Sequence, residues 1–333
     1  MKKIFIFTAL IMVILVLVFI KDPNAQQNEA LASMYDNVIV KNTENAIQQC
    51  HTLEDSLSQS TAGIRQKKIE DNFAKLVMGW KAVQATYIAG DLDQYAIDYP
   101  RYIDIFHIGN ENINEQMQKV LKSTSEPKTA LYKYSYNTIN ALEAILYAEN
   151  TLSSRKLAIA QSINHNICER LTDILNVYQE KRNDFLSARD SALSMLANVL
   201  ANQTLQLKDW RIGDPAGLTK KYLNQPDNRR NEYFLSGLSV KSINKILQTQ
   251  SQLIMPQDYP NFVEIADIYA AQKQLSDAQT AMNNAFIEIN TLNNENLQNT
   301  KLYQAVGKLQ SIYYNDLIQA LPVIAKILEA DGD

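Results

Sequence analysis

Glycine and proline are scarce in this chain, and their scarcity limits the folds that it can adopt. The 333 residues include only 9 glycines and 8 prolines, and long stretches contain neither. Strand-rich folds need many tight turns, and turns depend on these two residue types. The chain is therefore predicted to be all-α. Its hydrophobic fraction of 46% is enough for a packed core and argues against disorder.

The charge balance limits the classes of partner. The chain has 32 basic and 36 acidic residues, which gives a formal net charge of -4 at pH 7. Proteins that bind nucleic acid neutralise phosphates with a basic surface. Nucleic acid is therefore not an expected partner.

The N-terminus has the pattern of an export signal. Two lysines are followed by an uncharged apolar run from Ile4 to Ile20, which is longer than the usual signal core and shorter than the usual membrane-spanning helix. Two interpretations stay open: a signal peptide cut near Ala25, or a retained membrane anchor formed by residues 4–20. Either way, the rest of the chain is predicted to be exported, as a soluble or a tethered protein.

The chain has two cysteines, Cys50 and Cys168. In an exported protein an even number of cysteines suggests a disulfide bond, and a Cys50–Cys168 bridge is the favoured prediction. Two buried free thiols are the alternative. Neither cysteine belongs to a CxxC pair, so the cysteines do not suggest a zinc site.

Apolar residues spaced three or four apart predict a series of long helices. The predicted helices span residues 28–58, 65–89, 113–121, 128–150, 154–182, 184–210, 240–254, 261–297 with a break near Gln274, and 300–329. Irregular connectors are predicted at about 89–112 and 211–237. The polar stretch "ENTLSSRK" is the predicted domain boundary. It divides the chain into a signal or anchor (1–25) and two helical bundles in series (26–150 and 151–333).

Familiar catalytic motifs are absent from the sequence. It contains no HExxH, GxSxG, Walker loop or GxGxxG, and we find no metal-ligand spacing around the three histidines. The stretch "TINALEAILY" (138–147) places Asn140 and Glu143 three residues apart, on one face of a predicted helix. The motifs alone predict no more than an exported, two-part, all-helical protein.

Four further stretches have recognisable patterns: "LVMGWKAVQATY" with Trp80, "YPRYIDIFHIGNENINEQMQKVL" with Arg101, Ile103, Asp104 and Phe106, "KDWRIGDPAG" with Asp209, Ile212, Gly213 and Pro215, and "NEYFLSGLSVKSI" with Glu232, Ser236 and Ser239. Together with "TINALEAILY", and in this order along the chain, they resemble the imelysin family (peptidase family M75). "TINALEAILY" aligns with the family's GxHxxE helix. The resemblance covers nearly the whole chain after residue 25 and implies an imelysin-like fold of two helical bundles.

The chain departs from the family pattern at the GxHxxE helix. The glycine position holds Thr138 and the histidine position holds Asn140, so Glu143 alone remains. An asparagine amide is a poor ligand for a transition metal and cannot act as a base near neutral pH. A peptidase mechanism that needs a His/Glu metal pair therefore cannot operate at this position, and we predict no catalytic residue.

The resemblance implies a ligand-binding site between the bundles. Its predicted residues are Glu143, Asn140, Asp104, Glu232, Ser236, Ser239, Arg101 and Trp80, with Glu143 also as a metal ligand for iron or another divalent ion. Two structural alternatives stay open. Glu143 could be a buried carboxylate paired with Arg101 or Arg211, and Ser236 and Ser239 could cap a helix that begins near Val240.

Three functions are carried forward. The first is a non-catalytic periplasmic protein that binds a small ligand or a metal ion and is linked to iron acquisition. The second is a metallopeptidase of the M75 type. The third is an interaction module at the membrane surface, whose partner would be a membrane protein.

Overall fold

The all-α prediction is confirmed. A computed structural model of the chain describes residues 22–292 and 297–327. In chain order, the elements up to residue 152 are α1 (Pro23–Met34), α2 (Lys41–Ser58), β1 (Gly63–Ile64), α3 (Lys67–Ala85), α4 (Ala89–Leu92), α5 (Tyr99–Ile103), α6 (Ile113–Lys122), α7 (Pro127–Ala130), α8 (Ile139–Tyr147) and β2 (Thr151–Leu152). The remaining elements are α9 (Ser154–Ser187), α10 (Arg189–Gln206), α11 (Asp214–Ala216), α12 (Ser239–Ile254), α13 (Phe262–Ile268), α14 (Gln272–Ile289), α15 (Thr300–Ser311) and α16 (Ile318–Ala320).

Three of the helical stretches contain π-helical segments. The segment Tyr35–Val40 joins α1 to α2, Leu207–Gly213 joins α10 to α11, and Ile312–Leu317 joins α15 to α16. Such segments insert an extra residue into a helical turn and are frequent at functional sites. The segment Leu207–Gly213 matters most here, because it brings Trp210 and Arg211 to the site described below.

Helix α3 occupies a central position. It packs against α2 and α12, while α2 and α8 pack against the long helix α9. These contacts belong to one continuous apolar core that includes Phe73, Trp80, Ile163 and Leu247. Helices from both sides of residue 150 therefore share this core, and the division into two bundles stays a prediction.

A disulfide bond joins α2 to α9, as predicted. Cys50 and Cys168 are bonded, and their Cα atoms lie 5.6 Å apart across 118 residues of sequence. A second link between distant segments is the short antiparallel pair of β1 and β2, in which Gly63 faces Leu152.

Several predicted helix boundaries are wrong. The predicted helix 261–297, for example, is divided at residues 269–271 and ends at Ile289. Two other differences have a clear cause. The predicted helix 128–150 begins only at Ile139, because the Asn137 side chain donates to the carbonyls of Leu131 and Lys133 and holds that segment in turns. The Thr138 side chain then accepts from the Ala141 N–H and begins α8.

The predicted helix 300–329 ends at Ala320. Pro322 disfavours helical backbone at the residue before it, and Leu321 is extended. The Asn198 side chain then binds the carbonyl of Ile324 and the N–H of Lys326, which holds the following segment against α10.

The predicted signal or anchor lies outside the described residues. Within the ranges that the structure does describe, no helix has both the length and the apolar character needed to cross a bilayer.

Candidate functional site

A cleft of about 490 Å³ opens between α8 and the two irregular connectors. The segment 105–114 forms one wall and the segment 229–235 another, while Asn140 and Glu143 of α8 lie between them. Three of the eight predicted site residues, Asn140, Glu143 and Glu232, line this cleft, although they come from distant parts of the chain.

Glu143 is buried, and no cation pairs with it among the residues that the structure describes. The residue is only 7% exposed, and its Oε1 atom accepts hydrogen bonds from the backbone N–H of Ser236 at 2.9 Å and from the Ser236 hydroxyl at 2.6 Å. The hypothesis that Arg101 or Arg211 pairs with this carboxylate is wrong. Burial raises the pKa of Glu143 to about 7, although the two hydrogen bonds from Ser236 act in the opposite direction.

The two serines do not cap α12. That helix begins at Ser239, and the residue before it, Leu238, offers no side-chain cap. Ser236 instead binds Glu143, and the Ser239 hydroxyl donates to the carbonyl of Glu232 at 2.6 Å. The capping hypothesis is therefore wrong, because both hydroxyls are used to hold the connector against the cleft.

The floor of the cleft is a buried network of charges. The Lys81 ammonium is fully buried; it donates to Asp104 Oδ2 at 2.7 Å and also to Glu232 Oε1. Arg211 Nε donates to the other oxygen of Glu232 at 2.8 Å. Two cations therefore neutralise two carboxylates, as buried charges require.

Trp80 and the backbone complete the surroundings of Asp104. The Trp80 indole donates to Asp104 Oδ2 at 2.8 Å, and the Phe106 N–H donates to Oδ1 at 2.9 Å. Burial acts to raise the pKa of Asp104, but the Lys81 ammonium and these hydrogen bonds hold it well below its usual range. Trp80 is itself 0% exposed, so it supports the floor of the cleft from beneath.

Asn140 and Arg101 have structural contacts. The Asn140 side-chain oxygen accepts from the Ile105 N–H at 2.7 Å, which holds the connector that carries Asp104 against α8. Arg101 is exposed and pairs with Asp98 at 3.0 Å. Of the predicted ligand-binding residues, Arg101 is the one that the structure places away from the others.

Sequence reasoning missed Lys81, which lies at the centre of the charge network. A signal was present: Lys81 follows Val77 by four residues, on the buried face of α3, where a lysine needs an anionic partner. It also missed the contact between His107 and Trp210, whose rings stack 4.8 Å apart. His107 Nε2 lies 2.8 Å from Asp214 Oδ2, and this contact ties the first connector to the start of α11.

The cleft does not have the donor set of a preformed transition-metal centre. Asp104 and Glu232 are committed to Lys81 and Arg211. Over residues 22–292 and 297–327, no three His, Cys, Asp or Glu side chains converge at this cleft. The carboxylate oxygen that could still coordinate a metal ion is Oε2 of Glu143, which accepts no hydrogen bond from the described chain.

Two other polar atoms beside the network also lack partners. The Arg211 Nη1 atom and the Tyr233 hydroxyl are buried and make no hydrogen bond within the part of the chain that the structure describes. Burial raises the pKa of Tyr233 well above its usual value, so its hydroxyl stays protonated and can donate. The polar groups around the cleft are thus not fully satisfied by the described chain.

Comparisons with known proteins agree on one family. A family model described as imelysin matches residues 25–320, and no curated protein matches the chain. An imelysin-like protein from Psychrobacter arcticum 273-4 is structurally similar, with a TM-score of 0.75 and 16% identity over 91% of this chain and 98% of that one. A "putative iron-regulated protein A precursor" from Parabacteroides distasonis ATCC 8503 has a TM-score of 0.64 and 11% identity over 89% of this chain and 95% of that one.

Proposed function

The chain belongs to the imelysin family, and from this premise we propose that it is an exported, non-catalytic protein that binds a small polar ligand at Glu143. The observation that carries the proposal is the buried carboxylate of Glu143. One of its oxygens accepts hydrogen bonds from Ser236, and the other accepts none within residues 22–292 and 297–327, while the residue lines an open cleft. A buried carboxylate without a partner is costly, and a ligand that donates to Oε2 would remove that cost.

The chemistry of the cleft indicates the class of ligand. Asp104 and Glu232 are neutralised beneath it. Glu111, Arg229 and Arg230 also line the cleft, and Glu143 is the buried charge that a ligand meets there. A primary amine or a guanidinium group offers both positive charge and hydrogen-bond donors, and it pairs strongly with a carboxylate. We therefore expect a cationic or donor-rich small molecule in preference to a bare metal ion.

Iron remains the alternative ligand. The structural neighbour described as iron-regulated supports a link to iron acquisition. A bare ion at Glu143 would have to take its other ligands from neutral atoms or water, because the neighbouring carboxylates are already paired. Iron ions and amine or guanidinium compounds are therefore tested as separate probes in one experiment.

Export to the periplasm is supported by two features. The apolar run Ile4–Ile20 has the pattern of an export signal, and the bond between Cys50 and Cys168 suits an oxidising compartment. A peptidase function is not proposed, because the Asn140 oxygen that replaces the motif histidine is committed to the Ile105 N–H.

Isothermal titration of the full chain tests the proposal. The probes are putrescine, arginine, Fe²⁺, Fe³⁺ and Zn²⁺, measured against wild type, Glu143→Gln and the control Glu180→Gln. Glu180 is an exposed carboxylate on α9, far from the cleft in sequence. We expect saturable binding of an amine or guanidinium probe that Glu143→Gln weakens at least about tenfold and Glu180→Gln leaves unchanged. Binding that Glu143→Gln does not weaken, or no saturable binding at all, would overturn the proposal.

A further inference from the structure

Three side chains meet on the surface between α2 and α9, away from the cleft. His51 Nδ1 lies 3.0 Å from Glu54 Oε2, and His165 Nδ1 lies 3.0 Å from Glu54 Oε1. The two imidazoles therefore approach the two oxygens of one carboxylate. The side chains of His51 and His165 are 57% and 65% exposed, so the cluster is open to solvent.

The positions of these side chains are fixed by the fold. His51 and Glu54 lie three residues apart and so share one face of α2. His165 comes from α9, which the Cys50–Cys168 bond ties to α2 directly beside the cluster. From the sequence alone, we found no metal-ligand spacing around the histidines. In the structure His51 and Glu54 lie three residues apart on one helix, and His165 approaches them from another.

The donor set suits a divalent transition metal. Two imidazole nitrogens and one carboxylate oxygen are common ligands of zinc and of other borderline ions. Bonds of about 2.0–2.2 Å from one ion place neighbouring donor atoms roughly 3–3.5 Å apart. The two measured nitrogen–oxygen distances fall in that range. Within the described residues, however, the donor atoms of His51, Glu54 and His165 do not all lie within 4.8 Å of one another, so the two exposed imidazoles would have to turn toward each other to share one ion.

The neighbouring groups support the same chemistry. Glu169 Oε1 lies 3.7 Å from His165 Nε2, and a carboxylate beside the outer nitrogen of a histidine favours a proton there and leaves the inner nitrogen free for a metal. Cys168 sulfur also converges with His51 and Glu54 to within 4.8 Å. It is bonded to Cys50, however, and so does not serve as a ligand while the disulfide is intact.

We propose that His51, Glu54 and His165 form a binding site for a divalent transition-metal ion such as Zn²⁺ or Cu²⁺ on the surface between α2 and α9. Three protein ligands leave at least one coordination position that faces water. The site is independent of the cleft and does not rest on the ligand proposed for Glu143.

Zn²⁺ titration of the full chain, with its disulfide intact, tests this site. We expect one Zn²⁺ equivalent to bind to the wild type through these residues. Loss of an outer-shell partner alone costs about 10–100-fold in metal affinity, so His51→Asn and His165→Asn are each expected to weaken binding at least about tenfold. The control Glu180→Gln, at an exposed carboxylate also on α9, should leave Zn²⁺ affinity unchanged, and a Zn²⁺ signal that disappears in Glu143→Gln would assign the binding to the cleft instead.

Electron paramagnetic resonance with Cu²⁺ gives a second readout that a folding defect would not imitate. We expect two coordinated imidazole nitrogens in the wild type and one in either histidine variant. Because both histidines are exposed, neither substitution should alter the melting temperature. The proposal is wrong if Zn²⁺ does not bind saturably, if neither histidine variant weakens binding, or if binding depends on Glu143 instead.

Discussion

Buried carboxylates occur in two neighbouring regions of this molecule with opposite surroundings. In the floor of the cleft, Asp104 and Glu232 share the Lys81 ammonium, and Glu232 also holds Arg211. At the rim of the cleft, the hydrogen bonds to Glu143 from the described part of the chain come only from Ser236, which is neutral. The difference shows that burial alone does not mark a functional carboxylate. The number of cations within reach decides which one is structural and which one is available.

The pKa values of the two regions move in opposite directions. The pKa of Asp104 lies well below its usual range because of the Lys81 ammonium, whereas burial raises the pKa of Glu143 to about 7. Asp104 therefore stabilises the folded state above its unfolded pKa, and this contribution is lost as pH falls through the folded value. Glu143 has the reverse effect: stability falls as pH rises from about 4.5 to about 7, because the folded state keeps a proton that the unfolded state has released.

Lys81→Met should have the largest effect, because it would remove the central cation of the floor. The substitution keeps most of the side-chain volume but leaves Asp104 and part of Glu232 as buried charges without their partner. Breaking a buried ion pair in this way typically costs about 3–5 kcal/mol. We expect a loss of that size in the free energy of unfolding, measured by urea denaturation at pH 7.

The matched control is Lys67→Met on the same helix. The Lys67 side chain is 78% exposed and pairs with Asp71 on the surface, so we expect no measurable change in stability. Equal losses in the two variants would contradict the view that the floor is a structural network.

Glu143→Gln tests the carboxylate at the rim of the cleft, and we expect it to raise stability where Lys81→Met lowers it. Glutamine keeps the shape and still accepts from Ser236, but it cannot ionise. A pKa raised from 4.5 to about 7 corresponds to roughly 3 kcal/mol of lost stability at pH 8. We expect the variant to be more stable than the wild type at pH 8 and close to it at pH 4, as measured by urea denaturation at both values. An unchanged dependence of stability on pH would show that Glu143 already has a charged partner.

Ser236→Ala tests the hydrogen bonds to Glu143, and we expect a smaller change in stability than for the first two substitutions. The variant loses the hydroxyl donor at 2.6 Å and keeps the backbone donor at 2.9 Å. Because both bonds favour the charged carboxylate, the pKa of Glu143 should rise further, and stability at pH 8 should fall by about 1–2 kcal/mol. Nuclear magnetic resonance titration of the carboxyl group measures the first change and urea denaturation the second.

Ser239→Ala is the control for this variant. It also removes a hydroxyl, but one that donates to the Glu232 carbonyl and makes no contact with Glu143. Its stability loss should therefore come without a shift in the Glu143 titration. If both serine variants shift that titration equally, the effect belongs to the connector as a whole and not to the Ser236 hydroxyl.

More of the fold than of the site could be predicted from the sequence. Helical spacing and the lack of glycine and proline predicted the long helices, because these signals lie within a few residues of each other. The start of α8 was missed because Asn137 binds carbonyls of residues before it. The end of the last helix was missed because Asn198, far away in sequence, binds the segment after it.

The pairing of charged side chains within the site was harder to predict from the sequence. The family resemblance predicted Asp104, Glu143 and Glu232 at one place. In the structure Lys81 contacts both Asp104 and Glu232, and Glu143 lines the same cleft as Glu232. Which cation pairs with which carboxylate depends on side-chain directions across α3, α8 and the second connector, and sequence spacing does not contain that information. Lys81 was therefore overlooked, and Arg101 was placed at the site although it lies apart.

The disulfide has a consequence for the covalent layout of the cleft. Because Cys50 is bonded to Cys168, residues 50–168 form a closed ring that carries Lys81, Asp104 and Glu143. Glu232 and Ser236 lie on the open part of the chain, after the ring. A protease that cuts within the ring leaves one covalent molecule, whereas a cut at 169–231 releases a fragment that takes the second wall of the cleft with it. A cut in the first wall therefore leaves that wall covalently attached, whereas a single cut before the second wall can release it.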